Sequence, residues 1–92
     1  MTNFSTAVAA FRSGRLREAE QVCREVLAVE PRNADAFNLL GVIAGTAGDH
    51  ASAAELMQRS VALAPDVMEF RRNLAKALMH EGKLVEGASL VR

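Results

Sequence analysis

The sequence predicts an all-α fold, an α-solenoid of antiparallel helix pairs with about six helices. Three observations carry this expectation. Glycine recurs as Gly14, Gly48 and Gly82, at a constant step of 34 residues. The same step relates Ala19, Ala53 and Gly87; Leu27 and Val61; Val29 and Leu63; Pro31 and Pro65; Leu40 and Leu74; and Cys23 and Met57. Between the glycines, apolar residues follow the three-and-four spacing of a helix face and nowhere show the strict alternation of a half-buried strand. So dense a register of like residues marks an internal repeat, and a repeat decides the architecture before any single motif does.

Each element follows from its own signals. The first helix, about 3–13, closes at Gly14, whose tolerance of positive φ suits a helix stop. The second, 16–29, carries Ala19, Cys23, Leu27 and Val29 ahead of Pro31. Asn33 caps the third, 34–47, where Phe37, Leu40, Ile43 and Ala44 share helical spacing. Gly48 closes that helix and Asp49 caps the fourth, 50–63, with Ala53, Leu56, Met57, Val61 and Leu63 before Pro65. Asp66 and Glu69 have the spacing of a capping box and open the fifth, 67–81. A sixth, 84–91, follows Gly82. Turns of so few residues make neighbouring helices antiparallel. The repeats divide as 1–33, 34–67 and an incomplete 68–92, together one domain.

Composition narrows the function classes. The 92 residues include 11 basic and 11 acidic side chains, for no net charge, and half are hydrophobic. A domain this small buries only about 60% of its unfolded surface. Mixed charge of zero net sum provides no long-range attraction to nucleic acid or an anionic membrane, so neither is expected as a partner. No apolar run reaches the roughly 20 residues of a membrane span, and the amino end lacks signal-peptide zones. A soluble, cytoplasmic protein is expected, and the single Cys23 allows no internal disulfide.

These residues resemble the tetratricopeptide repeat, a 34-residue helix-turn-helix unit. The resemblance rests on Phe37, Leu40, Gly41, Gly48, Ala53 and Pro65 in the second unit, on Gly14, Ala19 and Pro31 in the first, and on Leu74, Ala75, Gly82 and Gly87 in the third. It implies that Gly41 and Ala75 lie where paired helices approach closely, facing Ala19, Ala53 and Gly87. Two departures stand out. Phe70 precedes Leu74 by four residues where Phe37 precedes Leu40 by three, which predicts a shifted first turn in the third unit. Thr6 stands where the other units have Leu40 and Leu74.

Tetratricopeptide repeats usually bind proteins or peptides in the groove lined by the first helix of each pair. The resemblance carries that stripe to Phe4, Ser5, Val8, Phe11 and Arg12; to Asp35, Asn38, Leu39, Val42 and Thr46; and to Glu69, Arg72, Asn73, Lys76, Met79 and His80. An apolar anchor is expected near Phe4, Val8 and Val42, and an acidic or carbonyl group near Arg72, Asn73 and Lys76. Phe4 and Val8 stand where the polar members of a terminal-carboxylate clamp would be, which argues against a chaperone-tail clamp. Of an asparagine ladder only Asn73 matches, with Leu39 at the corresponding place. The leading expectation is therefore a protein-interaction module. Two alternatives are a homo-oligomer formed through Leu84 and Leu90 of the last helix, and an accessory segment of a larger enzyme such as a glycosyltransferase.

No catalytic, cofactor or metal assignment is expected. Asp49, His50 and Ser52 fall within one helix turn and cannot reach the separations a triad needs. Cys23, equivalent to Met57, reads as a core filler. Two histidines without a supporting Cys or carboxylate cluster make no metal site. Gly41, Gly45 and Gly48 interrupt a helical pattern and follow no strand, unlike a phosphate-binding loop. Arg12, Arg15, Arg17 and Arg24 interleave with Glu18, Glu20 and Glu25 as an ordinary solvated face, with pairing expected for Glu20 with Arg24 and for Arg17 with its acidic neighbours.

Overall fold

A computed structural model describes residues 3–82. Five helices follow one another: α1 (Phe4–Arg12), α2 (Leu16–Val29), α3 (Ala34–Thr46), α4 (His50–Leu63) and α5 (Met68–His80). The expected sixth helix and its Leu84, Leu90 and Gly87 lie outside the described residues. The repeat is metrical as well as chemical. α2 and α4 are each 14 residues long, α3 and α5 each 13, and within both couples the starts are 34 residues apart.

The turns repeat with the same precision. Gly14, Gly48 and Gly82 take φ of 79°, 87° and 86°. The Gly14 N–H donates to the Phe11 carbonyl at 3.0 Å and the Arg15 N–H to the Ala10 carbonyl at 2.9 Å. Gly48 and Asp49 copy this pair on Gly45 and Ala44 at 3.0 and 2.9 Å. These are Schellman closures, in which a left-handed residue lets two amides satisfy the last carbonyls of the helix. Helix starts are capped by side chains at three places. Asn3 accepts from the Thr6 N–H at 3.1 Å, Asn33 from Ala36 at 3.0 Å and Asp49 from Ser52 at 3.1 Å.

The fifth helix corrects two expectations. Its N-cap is Val67, which makes no side-chain cap bond, so Asp66 does not form a capping box with Glu69. Its first turn is not shifted either, because α5 keeps the 34-residue register of α3. Phe70, 4% exposed, fills the place that Ala36 holds in α3, while Phe37 lies half-buried beneath the Arg59 guanidinium at 5.7 Å. Burial of Phe70 and Leu74 sets the register, and local cap preference yields to it.

The core forms two clusters between the helix pairs. Ala7, Ala19, Cys23, Leu40 and Ile43 are buried where α1, α2 and α3 meet, and Ala53, Met57, Leu74 and Leu78 where α4 meets α5. Gly41 shows why small residues recur at these places. A Cβ at that position would stand 2.7 Å from Met57 Cγ and 3.1 Å from the Ala53 carbonyl oxygen. Ala19 and Ala53 are wholly buried, as expected of facing contacts. Thr6, in the place of Leu40, is exposed, and its hydroxyl turns to Asn3 at 3.3 Å.

Candidate functional site

Because every connection is short, α1, α3 and α5 lie side by side and present one face. That face is hollowed in three adjoining places. The first hollow, about 420 Å³, is lined by Phe4, Val8 and Phe11 of α1, by Asp35, Asn38, Leu39 and Val42 of α3, and by Glu69, Phe70 and Asn73 of α5. The second, about 410 Å³, runs along α5 past Glu69, Arg72, Asn73, Lys76 and Met79. The third, about 230 Å³, opens where α3, α4 and α5 converge and includes Val42, Thr46, His50, Asn73, Lys76 and His80. Asn73 borders all three. The structure thus brings Phe4, Val8, Phe11, Asn38, Leu39, Val42, Arg72, Asn73, Lys76 and His80 onto one surface. Ser5 and Arg12 are exposed and do not line these hollows.

Two of these side chains form the floor. Leu39, 8% exposed, belongs to the first core cluster, so it packs α3 inward as well as bordering the first hollow. Asn38 is also 8% exposed, and its Oδ1 accepts a hydrogen bond of 3.0 Å from Asn73 Nδ2. This bond crosses from one repeat to the next. It leaves an amide N–H group on Asn38 and a carbonyl oxygen on Asn73, the donor and acceptor that a peptide backbone carries in complementary form.

The ends of the face differ in chemistry. Phe4, Val8, Phe11 and Val42 make one part apolar, with Asp35 and Glu69 at its margin. Arg72 and Lys76 make the other part basic, and Thr46 is held by donating its hydroxyl to the Val42 carbonyl at 2.9 Å. The His50 and His80 rings stack there, with centroids 4.5 Å apart and planes at 14°. This pairing escaped the sequence, because the two residues occupy unequal places in the repeat and only the antiparallel packing of α4 on α5 joins them.

The remaining chemistry-bearing residues serve the fold. Burial pushes the Cys23 thiol up to about 11, Arg24 opposing and Glu20 adding to the shift. The Asp49 carboxyl is held below its ordinary range by hydrogen bonds from Ser52, first from its hydroxyl and then its amide, with the His50 charge assisting. Glu20 pairs with Arg24 at 2.9 Å and Glu18 with Arg15 at 3.7 Å, and none of the four lines these three hollows. Arg17 makes no ion pair among the described residues. No three His, Cys, Asp or Glu side chains converge there as metal ligands would, and no helix there is long and apolar enough to cross a membrane.

Known proteins place the architecture. Over 95% of this chain, a mutant of the Thermobaculum terrenum O-GlcNAc transferase superposes with a TM-score of 0.90 and 36% identity. MamA of Desulfovibrio magneticus matches 91% of the chain at a TM-score of 0.84 and 21% identity. The type III secretion translocator chaperone SycD of Yersinia enterocolitica matches 95% at 0.88 and 21% identity. The chain spans only 17%, 48% and 60% of those three proteins. No curated protein matches it. The tetratricopeptide repeat family model matches residues 4–67 and again 43–92, nearly the whole sequence, and the chain belongs to that family.

Proposed function

We propose that the chain is a non-catalytic protein-interaction module that holds a peptide or protein segment against the face formed by α1, α3 and α5. The observation that carries this reading is the continuity of the three hollows through Asn73. A segment lying across them would set an apolar side chain against Phe4, Val8 and Val42. It would meet the amides of Asn38 and Asn73 in the middle and place an acidic or carbonyl group near Arg72 and Lys76. Apolar anchors flanked by polar groups are the usual composition of such grooves. The test is a peptide selected from a random display library, mapped by amide chemical shifts. Shifts centred on Asn38, Val42, Asn73 and Lys76 are expected; shifts centred on α2 and α4 would refute the groove.

A second reading is favoured by the 36% identity to part of an O-GlcNAc transferase. Under it, the chain is the accessory repeat segment of a larger glycosyltransferase, and the same groove would hold that enzyme's protein substrate. Sequencing the surrounding reading frame decides it, since a catalytic domain either adjoins the repeats or does not. Self-association through Leu84 and Leu90 is a further proposal, and SycD, a chain of similar fold, has been crystallised as an alternative dimer. Polar substitution of both leucines would then leave monomers, and an unchanged molecular mass would exclude it.

A further inference from the structure

His50 opens α4 and His80 ends α5, and their stacked rings border the third hollow together with Lys76, one helical turn before His80. We propose that His50, His80 and Lys76 form a seat for a carboxylate of the bound segment, one that tightens as the solution is acidified from about pH 8 to about pH 5.5. The proposal rests on the groove reading above and names the chemistry of its partner at this end: an acidic peptide.

The charges around the pair favour this occupant. α3 contributes Val42, Gly45 and Thr46, none of them charged, and the Thr46 hydroxyl is already engaged. α4 contributes His50 beside Asp49, whose carboxylate is occupied by the Ser52 amide at 3.1 Å. α5 contributes Lys76 and His80, with Glu81 following at the C-cap, outside the lining of the hollow. Neutral imidazoles stacked in this way are an ordinary aromatic contact joining two helices. Protonation converts the contact into two cations at 4.5 Å beside an ammonium group, which repel one another. A carboxylate set against the N–H edges of the two rings, and near Lys76, relieves the repulsion.

Histidine protonation and carboxylate binding therefore favour each other reciprocally. A glutamate, with an ordinary pKa of about 4.3, stays ionised from about pH 8 to about pH 5.5, so the peptide itself keeps its charge across that window. One pKa unit gained by one histidine on binding corresponds to about a tenfold gain in affinity.

The probe is a C-terminally amidated peptide, Leu-Glu-Glu-Leu-Glu-Glu, labelled with a rhodamine dye whose charge and brightness are steady over this pH window, with the corresponding glutamine peptide as the control that lacks side-chain carboxylates. Fluorescence polarisation should show the glutamate peptide binding about tenfold more tightly at about pH 5.5 than at about pH 8, and the glutamine peptide unchanged. The double variant His50→Gln/His80→Gln should flatten the response. Lys76→Gln should weaken the glutamate peptide at both pH values and keep the slope. A flat response in the original chain, or a slope that survives in the double-histidine variant, overturns the seat. Amide shifts separate the two readings. Shifts at Asn38, Val42 and Asn73 with no pH response overturn the seat alone, whereas no shift at any of these residues overturns the groove and the seat together.

Discussion

Replacing Gly41 with alanine sets two known effects against each other. In an uncrowded helix the exchange favours folding by about 1 kcal/mol, because glycine loses more backbone freedom than alanine. Position 41 is crowded. The new Cβ would stand 2.7 Å from Met57 Cγ, whereas carbon atoms are at ease about 3.5–4.0 Å apart, and 3.1 Å from the Ala53 carbonyl oxygen. Met57 is 5% exposed and Ala53 wholly buried, so relief requires α4 to move away from α3. Overpacking of this kind costs about 1–3 kcal/mol, which leaves a net destabilisation of about 1 kcal/mol once the helix gain is subtracted. Gly45, one turn further along α3, supplies the control. Its Cβ would meet only Ala53 Cβ, at 3.7 Å, an ordinary contact, so Gly45→Ala should stabilise by about 0.5–1 kcal/mol. Thermal unfolding followed by circular dichroism resolves the difference, since 1 kcal/mol shifts Tm by about 4–8 °C in a chain of this size. The two variants should move Tm in opposite directions. If Gly41→Ala stabilises as much as Gly45→Ala, the close approach of α3 to α4 is wrong.

Other consequences are as direct. Asn73→Ala leaves Asn38 Oδ1 without its partner at an 8% exposed residue and should cost about 1–2 kcal/mol in urea unfolding, whereas Glu55→Gln on the opposite face should be neutral. The Asp49 carboxyl has a lowered pKa in the folded chain, so its contribution to stability is complete above the ordinary value of 3.8 and is lost as the pH falls through the folded value. Asp49→Asn keeps a cap that does not titrate and should flatten the acid limb of the stability curve. Cys23, raised from 9.0 to about 11, should react with iodoacetamide near pH 8 about 100-fold more slowly in the folded chain than in urea, by its thiolate fraction alone.

The sequence disclosed most of the fold because repetition writes each signal more than once. Gly14, Gly48 and Gly82 announced the turns, Asn33 and Asp49 the caps, and Cys23 against Met57 the core. Asp66 misled, since a cap is a local preference and the packing of Phe70 and Leu74 overrides it. The longer spacing from Phe70 to Leu74 misled for a related reason: a bulky residue can occupy the place of Ala36 without moving the backbone. That Phe4, Val8, Asn38, Val42, Asn73 and Lys76 share one face was legible by position, whereas Ser5 and Arg12 fall outside its hollows. The two cross-helix contacts of that face were not legible. Asn38 and Asn73 lie 35 residues apart and His50 and His80 thirty, so neither pair falls on the period, and both depend on how far one helix is displaced beside the next.

A partner lying along α1, α3 and α5 should feel the charges of that face and no others. The most direct measurement compares the affinity of one selected acidic peptide for two double variants that each remove two positive charges. Arg72→Gln/Lys76→Gln alters the hollowed face, and Arg24→Gln/Arg59→Gln the opposite one, where Arg24 and Arg59 border other hollows. The first variant should lose at least about tenfold in affinity with a shallower salt dependence, and the second should stay within about twofold of the original chain. Equal loss in both, or loss only in the second, would contradict that placement of the partner.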